Sequence, residues 1–215
     1  SISGRREFYG SMLRITPAVL IPRPETELLV ELALERAAPG ARVLDLGTGS
    51  GAIAVALACE RPDLAILGTD LSEAALAVAR RNVCDLGAAV DLVRSDWLEA
   101  LAPGRFDLIV ANPPYVSEKD AHLGQGDVRF EPRLALLGGE DGLDCIRKIA
   151  ACARGHLRPG GRLFLEHGYD QGDRCVDLFR DFGYSDVETV EDLAGLPRVC
   201  AGRAASVSLS PAAVS

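Results

Sequence analysis

ARVLDLGTGSGAIAVALACE, residues 41–60, passes from a short aliphatic run through Gly47, Gly49 and Gly51 into an alanine-rich segment that Pro62 stops. The first part reads as a strand, and Gly51–Glu60 as one of the chain's alanine-rich amphipathic helices. Glycines at such a junction let the backbone turn tightly and bring a ligand against the helix N-terminus. The same handover recurs along the chain. LAILGTD (64–70) reads as a second strand, and Ser72 caps a helix with Glu73 in its first turn that runs to about Gly87. VDLVRSD (90–96) is a third strand and FDLIVAN (106–112) a fourth that ends at Ala111. After a long polar loop, a helix from about Gly142 to His156 leads through RPGG into the strand RLFLEHG (162–168). Another helix covers about Gln171–Phe182, before the strands SDVETVED (185–192) and LPRVCAGR (196–203). The pattern predicts an α/β fold: a mostly parallel, seven-stranded sheet with helices on both faces.

The first forty residues break this rhythm. FYGSMLRITPAVLIPRP reads as short extended pieces punctuated by proline, and PETELLVELALERAA as a helix starting at Pro24 or Glu25. Proline near the first turn and an acid at the positive helix end both suit that start. The last residues, AASVSLSPAAVS (204–215), are small and uncharged and read as a flexible tail.

At 215 residues the chain has room for one sizeable core. Hydrophobic residues make up 48% and charged residues 25%, ordinary values for a globular α/β protein. No apolar run approaches the roughly 18 residues of a membrane span, and the start lacks the layout of a signal peptide. The absence of an initiator Met makes a piece of a longer protein the expectation. A net charge of −8 and a pI near 5.0 equip the chain poorly for the phosphate neutralisation that non-specific nucleic-acid binding requires. Arg5-Arg6 and Arg80-Arg81 are adjacent basic pairs that read as solvated surface. The six cysteines (Cys59, Cys84, Cys145, Cys152, Cys175 and Cys200) form no CxxC pair and read as reduced thiols of a cytoplasmic protein, with no metal site expected. His122, His156 and His167 have no ligand-like spacing and read as structural, His167 alone lying near the expected crevice.

Two cofactors compete for the glycine loop. Asp45-Leu46-Gly47-Thr48-Gly49-Ser50-Gly51 satisfies a loose dinucleotide fingerprint with Ala52 in third place. As Asp-x-Gly-x-Gly-x-Gly it equally resembles the first motif of class I methyltransferases, in which Asp45 would help hold a methionine ammonium group. Asp70 ends the second strand 23 positions after Gly47, where a carboxylate can accept both hydrogens of a ribose diol.

Asn112-Pro113-Pro114-Tyr115 decides between them. Two consecutive prolines stiffen the loop and push Asn112 out of helical geometry. An Asn side-chain oxygen, the carbonyl of Pro113 and an aromatic face then stand at the mouth of the crevice, a receptor for a planar NH2 group. Such a nitrogen is a weak nucleophile because its lone pair is delocalised. Two acceptors, one for each N–H, would turn the lone pair toward a methyl donor and meet the charge that develops on nitrogen. Tyr115 would stack on the planar group. Alignment of this kind can supply about 7–11 kcal/mol of acceleration without a tuned general base.

With these motifs placed, the chain resembles the peptide chain release factor N5-glutamine methyltransferases from about Gly4 to Arg203. The resemblance is carried by EFYG (7–10), TPAVLIPRPETE (16–27), DLGTGSGAIA (45–54), NPPY (112–115), QGDVRFEP (125–132) and LEHG (165–168). It implies a class I (Rossmann-like) domain over 41–203, preceded by an N-terminal segment (1–40) whose helix closes over the cofactor. It implies S-adenosyl-L-methionine as cofactor, with S-adenosyl-L-homocysteine as product. Asp45, Gly47, Thr48, Gly49, Ser50, Gly51, Asp70 and Leu71 would bind it, with Asp96 and Trp97 beside the adenine and Pro22, Arg23 and Thr26 over the methionine end. Asn112 would touch cofactor and substrate, and Pro113, Pro114 and Tyr115 the target glutamine. Phe8, Tyr9 and residues 125–132 would border the substrate slot. The partner implied is a release factor, with a ribosomal-protein glutamine or an exocyclic amino group of DNA or RNA as alternatives. No direct nucleic-acid or membrane contact is expected.

Overall fold

A computed structural model describes residues 4–113 and 142–205. Pro114, Tyr115, His122, the stretch 125–132 and the tail from residue 206 lie outside the described residues.

The aliphatic runs do form strands. β3 (Arg42–Leu46), β4 (Ala65–Asp70), β5 (Val90–Arg94), β6 (Phe106–Ala111), β7 (Leu157–Glu166), β8 (Ser185–Glu191) and β9 (Pro197–Arg203) make a seven-stranded sheet in the order β5-β4-β3-β6-β7-β9-β8. β3 to β7 pair parallel, and β9 enters antiparallel to both β7 and β8. The sequence expectation of a mostly parallel sheet of this size therefore holds. β7 begins earlier than its aliphatic run suggests: Leu157 already pairs with Phe106, and a register shift between Phe106 and Leu108 absorbs the RPGG turn.

Alternation along the central strands explains how helices cover both faces. Val43, Leu108, Val110 and Phe164 point into one apolar cluster with α1 (Glu27–Arg36), α2 (Ala52–Glu60) and α3 (Glu73–Asp85). Their neighbours Leu44, Ile109, Ala111, Leu163 and Leu165 point into the other, against α4 (Asp144–His156) and α5 (Gly172–Asp181). Strands buried on both faces read as continuous apolar runs, as these do. α2 is buried on nearly every side from Ala52 to Ala58, so its alanines reflect close packing against the sheet. Ser72 caps α3 as expected, its Oγ accepting the Ala75 N–H at 3.1 Å.

The N-terminal segment is more ordered than its prolines suggest. β1 (Gly4–Phe8) and β2 (Ser11–Ile15) form an antiparallel hairpin, joined through Tyr9 and Gly10 at φ 49° and 78°. Positive φ at both turn positions matches the twist of a tight two-residue hairpin. Two polar side chains tie this hairpin to the domain. Glu27 accepts the Tyr9 N–H at 2.9 Å. The fully buried Asn82 of α3 accepts from Arg14 N (2.7 Å) and donates to Arg14 O (3.1 Å) and Ser50 O (2.8 Å). α1 is preceded by a 3-10 turn, Pro24–Thr26, so the helix proper starts two residues beyond Glu25.

Candidate active site

Parallel pairing sets the site. Leu46 lies opposite Ala111, and Ala111 opposite Leu165, so the chain leaves β3, β6 and β7 side by side at their carboxyl ends. Sequence order turns back across β3 and β6, the position where open α/β sheets bind ligands.

On the β3 side the glycine loop is held by hydrogen bonds from its neighbours. Thr48 N donates to Thr69 O at 2.7 Å, and Gly51 N to Thr48 O at 2.8 Å. Gly49 N donates to Asp70 Oδ2 at 2.9 Å, while Asp70 Oδ1 accepts the Ser72 N–H at 3.0 Å. Asp70 thus braces the loop and the start of α3 together, and each of its oxygens keeps a second acceptor position for a diol. The glycines divide by task. Gly51, at φ 82°, sits so close to α3 that an added Cβ would lie 3.3 Å from Ala79 Cβ. Gly47 and Gly49, at φ 72° and 54°, would place a Cβ in open space, leaving a cradle faced by backbone. Ser50 is buried, its carbonyl held by Asn82.

Asp45 is buried beneath this loop. Its Oδ2 accepts the Thr48 hydroxyl at 2.7 Å, and its Oδ1 has no hydrogen-bond partner among the described residues. Burial pushes its carboxyl up to about 6, against opposing hydrogen bonds from the Thr48 hydroxyl and the Ala54 backbone. A buried carboxylate oxygen left unpaired costs free energy that an incoming donor would recover. Open cradle, a buried carboxylate with one oxygen unpaired among the described residues, and braced Asp70 together suit a ligand that carries an ammonium group and a ribose.

Beyond β4 and β5 come Leu71 and Trp97. Leu71 is 56% exposed at the end of β4. Trp97, which follows Asp96, holds a left-handed φ of 54° and packs half-buried, with Lys148 Nζ of α4 4.7 Å from its ring centroid. Strain of this kind persists only where the surroundings hold it.

On the β6 side the site is made of side chains. Asn112 Nδ2 donates to Thr26 Oγ1 at 3.3 Å, and Thr26 Oγ1 donates to Glu166 Oε2 at 3.2 Å. Thr26 occupies the cap position of α1, yet its side chain makes no capping hydrogen bond; the hydroxyl is committed to the site. Pro22 and Arg23 precede it in the same half-buried segment. Pro113 is buried directly after Asn112. The structure thus brings Thr26 to Asn112, and the glycine loop to the neighbouring strand end. Glu166 is the site residue that motif reading passed over. A single acid closing an aliphatic run at the carboxyl end of a parallel strand was the available signal. Burial pushes its carboxyl up to about 7, and its Oε1 has no partner among the described residues.

The two described histidines are held by backbone carbonyls. His167 is fully buried, with Nδ1 2.7 Å from the Gly168 carbonyl, and its ionisation is held down by burial. His156 bridges the carbonyls of Cys152 and Leu101. Among the described residues no cluster of His, Cys, Asp or Glu could hold a metal ion.

Known proteins place this geometry in a family. Residues 24–127 match the family model of the methyltransferase small domain. A methyltransferase from Pyrococcus furiosus shares the fold at a TM-score of 0.69 and 21% identity, over 90% of this chain and 88% of that one. A 16S rRNA N2 methyltransferase from T. thermophilus, solved in complex with AdoMet and guanosine, aligns at a TM-score of 0.65 and 23% identity, over 94% and 50% of the two chains. At higher similarity, the release factor glutamine methyltransferase of Bordetella pertussis is 54% identical over 204 residues, covering 93% of this chain and 75% of its own length. At that identity and coverage the chain belongs to the release factor glutamine methyltransferase family.

Proposed function

We propose that this chain methylates the side-chain amide nitrogen of the glutamine in the Gly-Gly-Gln loop of a peptide chain release factor, using S-adenosyl-L-methionine and releasing S-adenosyl-L-homocysteine. The observation that carries this reading is the Asn112 amide: its NH2 edge is engaged by Thr26, and its Oδ1 accepts no hydrogen bond from the described residues at the strand end beside the glycine cradle.

The cofactor supplies a methyl group already activated on a sulfonium, whose transfer leaves a thioether and releases one proton from the amide. The chain's task is then to hold and orient. Asp45 would accept from the ammonium group, the backbone of Gly47–Gly51 would line the methionine part, and Asp70 would accept from the ribose diol. Leu71, Asp96 and Trp97 would border the adenine, and Pro22 and Arg23 the methionine end. Asn112 Oδ1 and the Pro113 carbonyl would each accept one N–H of the glutamine amide. Two fixed dipoles so aimed favour the positive charge that grows on nitrogen and need no reorganisation as it grows. Pro114 and Tyr115 belong to the same motif and would contact the glutamine.

A protein substrate suits the acidic surface better than a polyanion, since a net charge of −8 opposes approach to phosphate. No described helix is long and apolar enough to cross a membrane, and a cytoplasmic setting, where translation terminates, belongs to the same proposal. Incubation with labelled S-adenosylmethionine and candidate acceptors, followed by mass spectrometry, tests it. The expected result is one added methyl on the release-factor loop glutamine. Label entering a ribosomal protein, DNA or RNA while the release factor stays unmodified would overturn it.

A further inference from the structure

We propose that Thr26 and Glu166 are positioning residues that lock the Asn112 amide with its oxygen toward the target nitrogen; the inference rests on the reading of Asn112 given above. An asparagine amide has two nearly isosteric orientations, related by exchange of O and NH2. Only one of them offers Oδ1 to a substrate. Packing discriminates poorly between the two, so a hydrogen-bonding partner of fixed polarity must choose.

The Thr26 hydroxyl becomes such a partner through Glu166. A hydroxyl carries one hydrogen, and an ionised carboxylate can only accept. With its hydrogen given to Glu166 Oε2 at 3.2 Å, Thr26 Oγ1 can only accept in turn, and it takes the Asn112 NH2 at 3.3 Å. A flipped amide would set two oxygens against each other. Thr26 is 2% and Glu166 1% exposed, so bulk water cannot relieve that clash. Three distant segments cooperate: the turn before α1, the end of β6 and the end of β7.

The lock has a proton-dependent release. Protonated Glu166 could donate to Thr26 Oγ1, and the hydroxyl hydrogen would then be free to meet Asn112 Oδ1, permitting the flip. Burial sets this carboxyl at about 7. The charges that face it are Glu25 on the turn, which raises it, and Arg23 and Arg198 of β9, which lower it; Arg198 is also paired with Asp192, and His167 follows Glu166 along the chain. A carboxyl raised in this way is charged above about pH 7 and protonated below, so acid weakens the lock.

Paired substitutions at Thr26 separate polarity from packing. Thr26→Val keeps the shape and removes the hydroxyl; it should lower kcat about 10- to 100-fold, with KM for the release factor nearly unchanged. Thr26→Ser keeps the hydroxyl and should recover most of that loss. The reverse order, Val active and Ser impaired, would overturn the lock in favour of simple packing. At saturating cofactor and substrate, kcat of the wild-type enzyme should fall as pH drops through about 7. Glu166→Gln should flatten that limb; an unchanged limb would count against the relay. Nuclear magnetic resonance of the 15N-labelled wild-type chain gives a readout free of turnover and of unstable variants. The Asn112 side-chain NH2 signals, identified by their loss in Asn112→Ala, should shift with a midpoint near that pH, and signals that stay still would refute the coupling. Asn112→Ala also separates two failures. Should it retain turnover, the NH2-receptor reading itself falls; should it lose turnover while Thr26→Val matches the wild type, only the relay falls.

Discussion

The glycine loop after β3 and the Asn112 corner after β6 lie on neighbouring strands and are built in opposite ways. The loop is a backbone object: contiguous residues 45–51, with Thr69 and Asp70 of the next strand bracing their N–H groups. The corner is a side-chain object, assembled from Asn112, Thr26 (86 positions earlier) and Glu166, which itself lies 140 positions from Thr26. Backbone supplies shape at low cost in order, because the chain connects the groups already. Side chains supply polarity at chosen atoms, and each atom is then a single point of failure. A binding function can be spread over many N–H groups, whereas orientation of one nitrogen cannot.

That contrast breaks most sharply at Asn112. Asn112→Ala should cut kcat by roughly 10²- to 10³-fold or more while cofactor affinity changes little, a split read by single-turnover kinetics beside calorimetry. Near-normal turnover would mean that the corner is not the receptor. On the loop side the largest effect belongs to Asp70→Ala, which removes both the brace on Gly49 and the proposed diol acceptor. We expect a loss of cofactor affinity of about 10- to 100-fold, the worth of one or two charged hydrogen bonds; unchanged affinity by calorimetry would show that the loop stands without it.

Proton linkage sharpens the comparison at Asp45. Its carboxyl, raised to about 6 by burial, favours the ligand-free fold most in acid; that contribution fades as pH rises from the ordinary carboxylate range through about 6. Cofactor binding runs the other way, since a protonated Asp45 offers no charge to an ammonium. Affinity should weaken by up to about tenfold per pH unit below that value. Asp45→Asn should bind weakly and without this dependence, and a parallel pH slope in the variant would assign it elsewhere.

The smallest effect should come from Asn82, which ties the N-terminal hairpin to the glycine loop. Asn82→Ala leaves the Ser50 carbonyl and two backbone groups of Arg14 without their partner. A loss of about 1–3 kcal/mol in thermal or denaturant unfolding is expected, with kcat at saturating cofactor little changed. A collapse of kcat with stability intact would place the hairpin in the chemistry instead.

Motif and pattern reached the loop more fully than the corner. Glycines at 47, 49 and 51 announce positive φ or close approach because few other residues accept them, and all three do adopt positive φ. Asp70 announces itself by its place at a strand end. Asn112 was legible because two prolines after an aliphatic strand admit few conformations. Thr26 was visible only as a residue of the PRPETE motif, with helix capping a competing explanation that its geometry excludes. Glu166 offered only its place at the end of an aliphatic strand, and Asn82 carried no local signal that separates a buried polar anchor from a surface one.

The sequence by itself therefore determined the layered α/β fold, the glycine cradle and the asparagine–proline turn, because period, turn chemistry and restricted dihedrals act over a few neighbouring residues. Only the tertiary structure decided which way the Asn112 amide faces. That choice depends on the register that sets Ala111 against Leu165 and on a turn from the N-terminal segment closing over both strand ends. A hydrogen-bond chain across such separations exists only once the sheet has aligned its strands, and no local pattern encodes it.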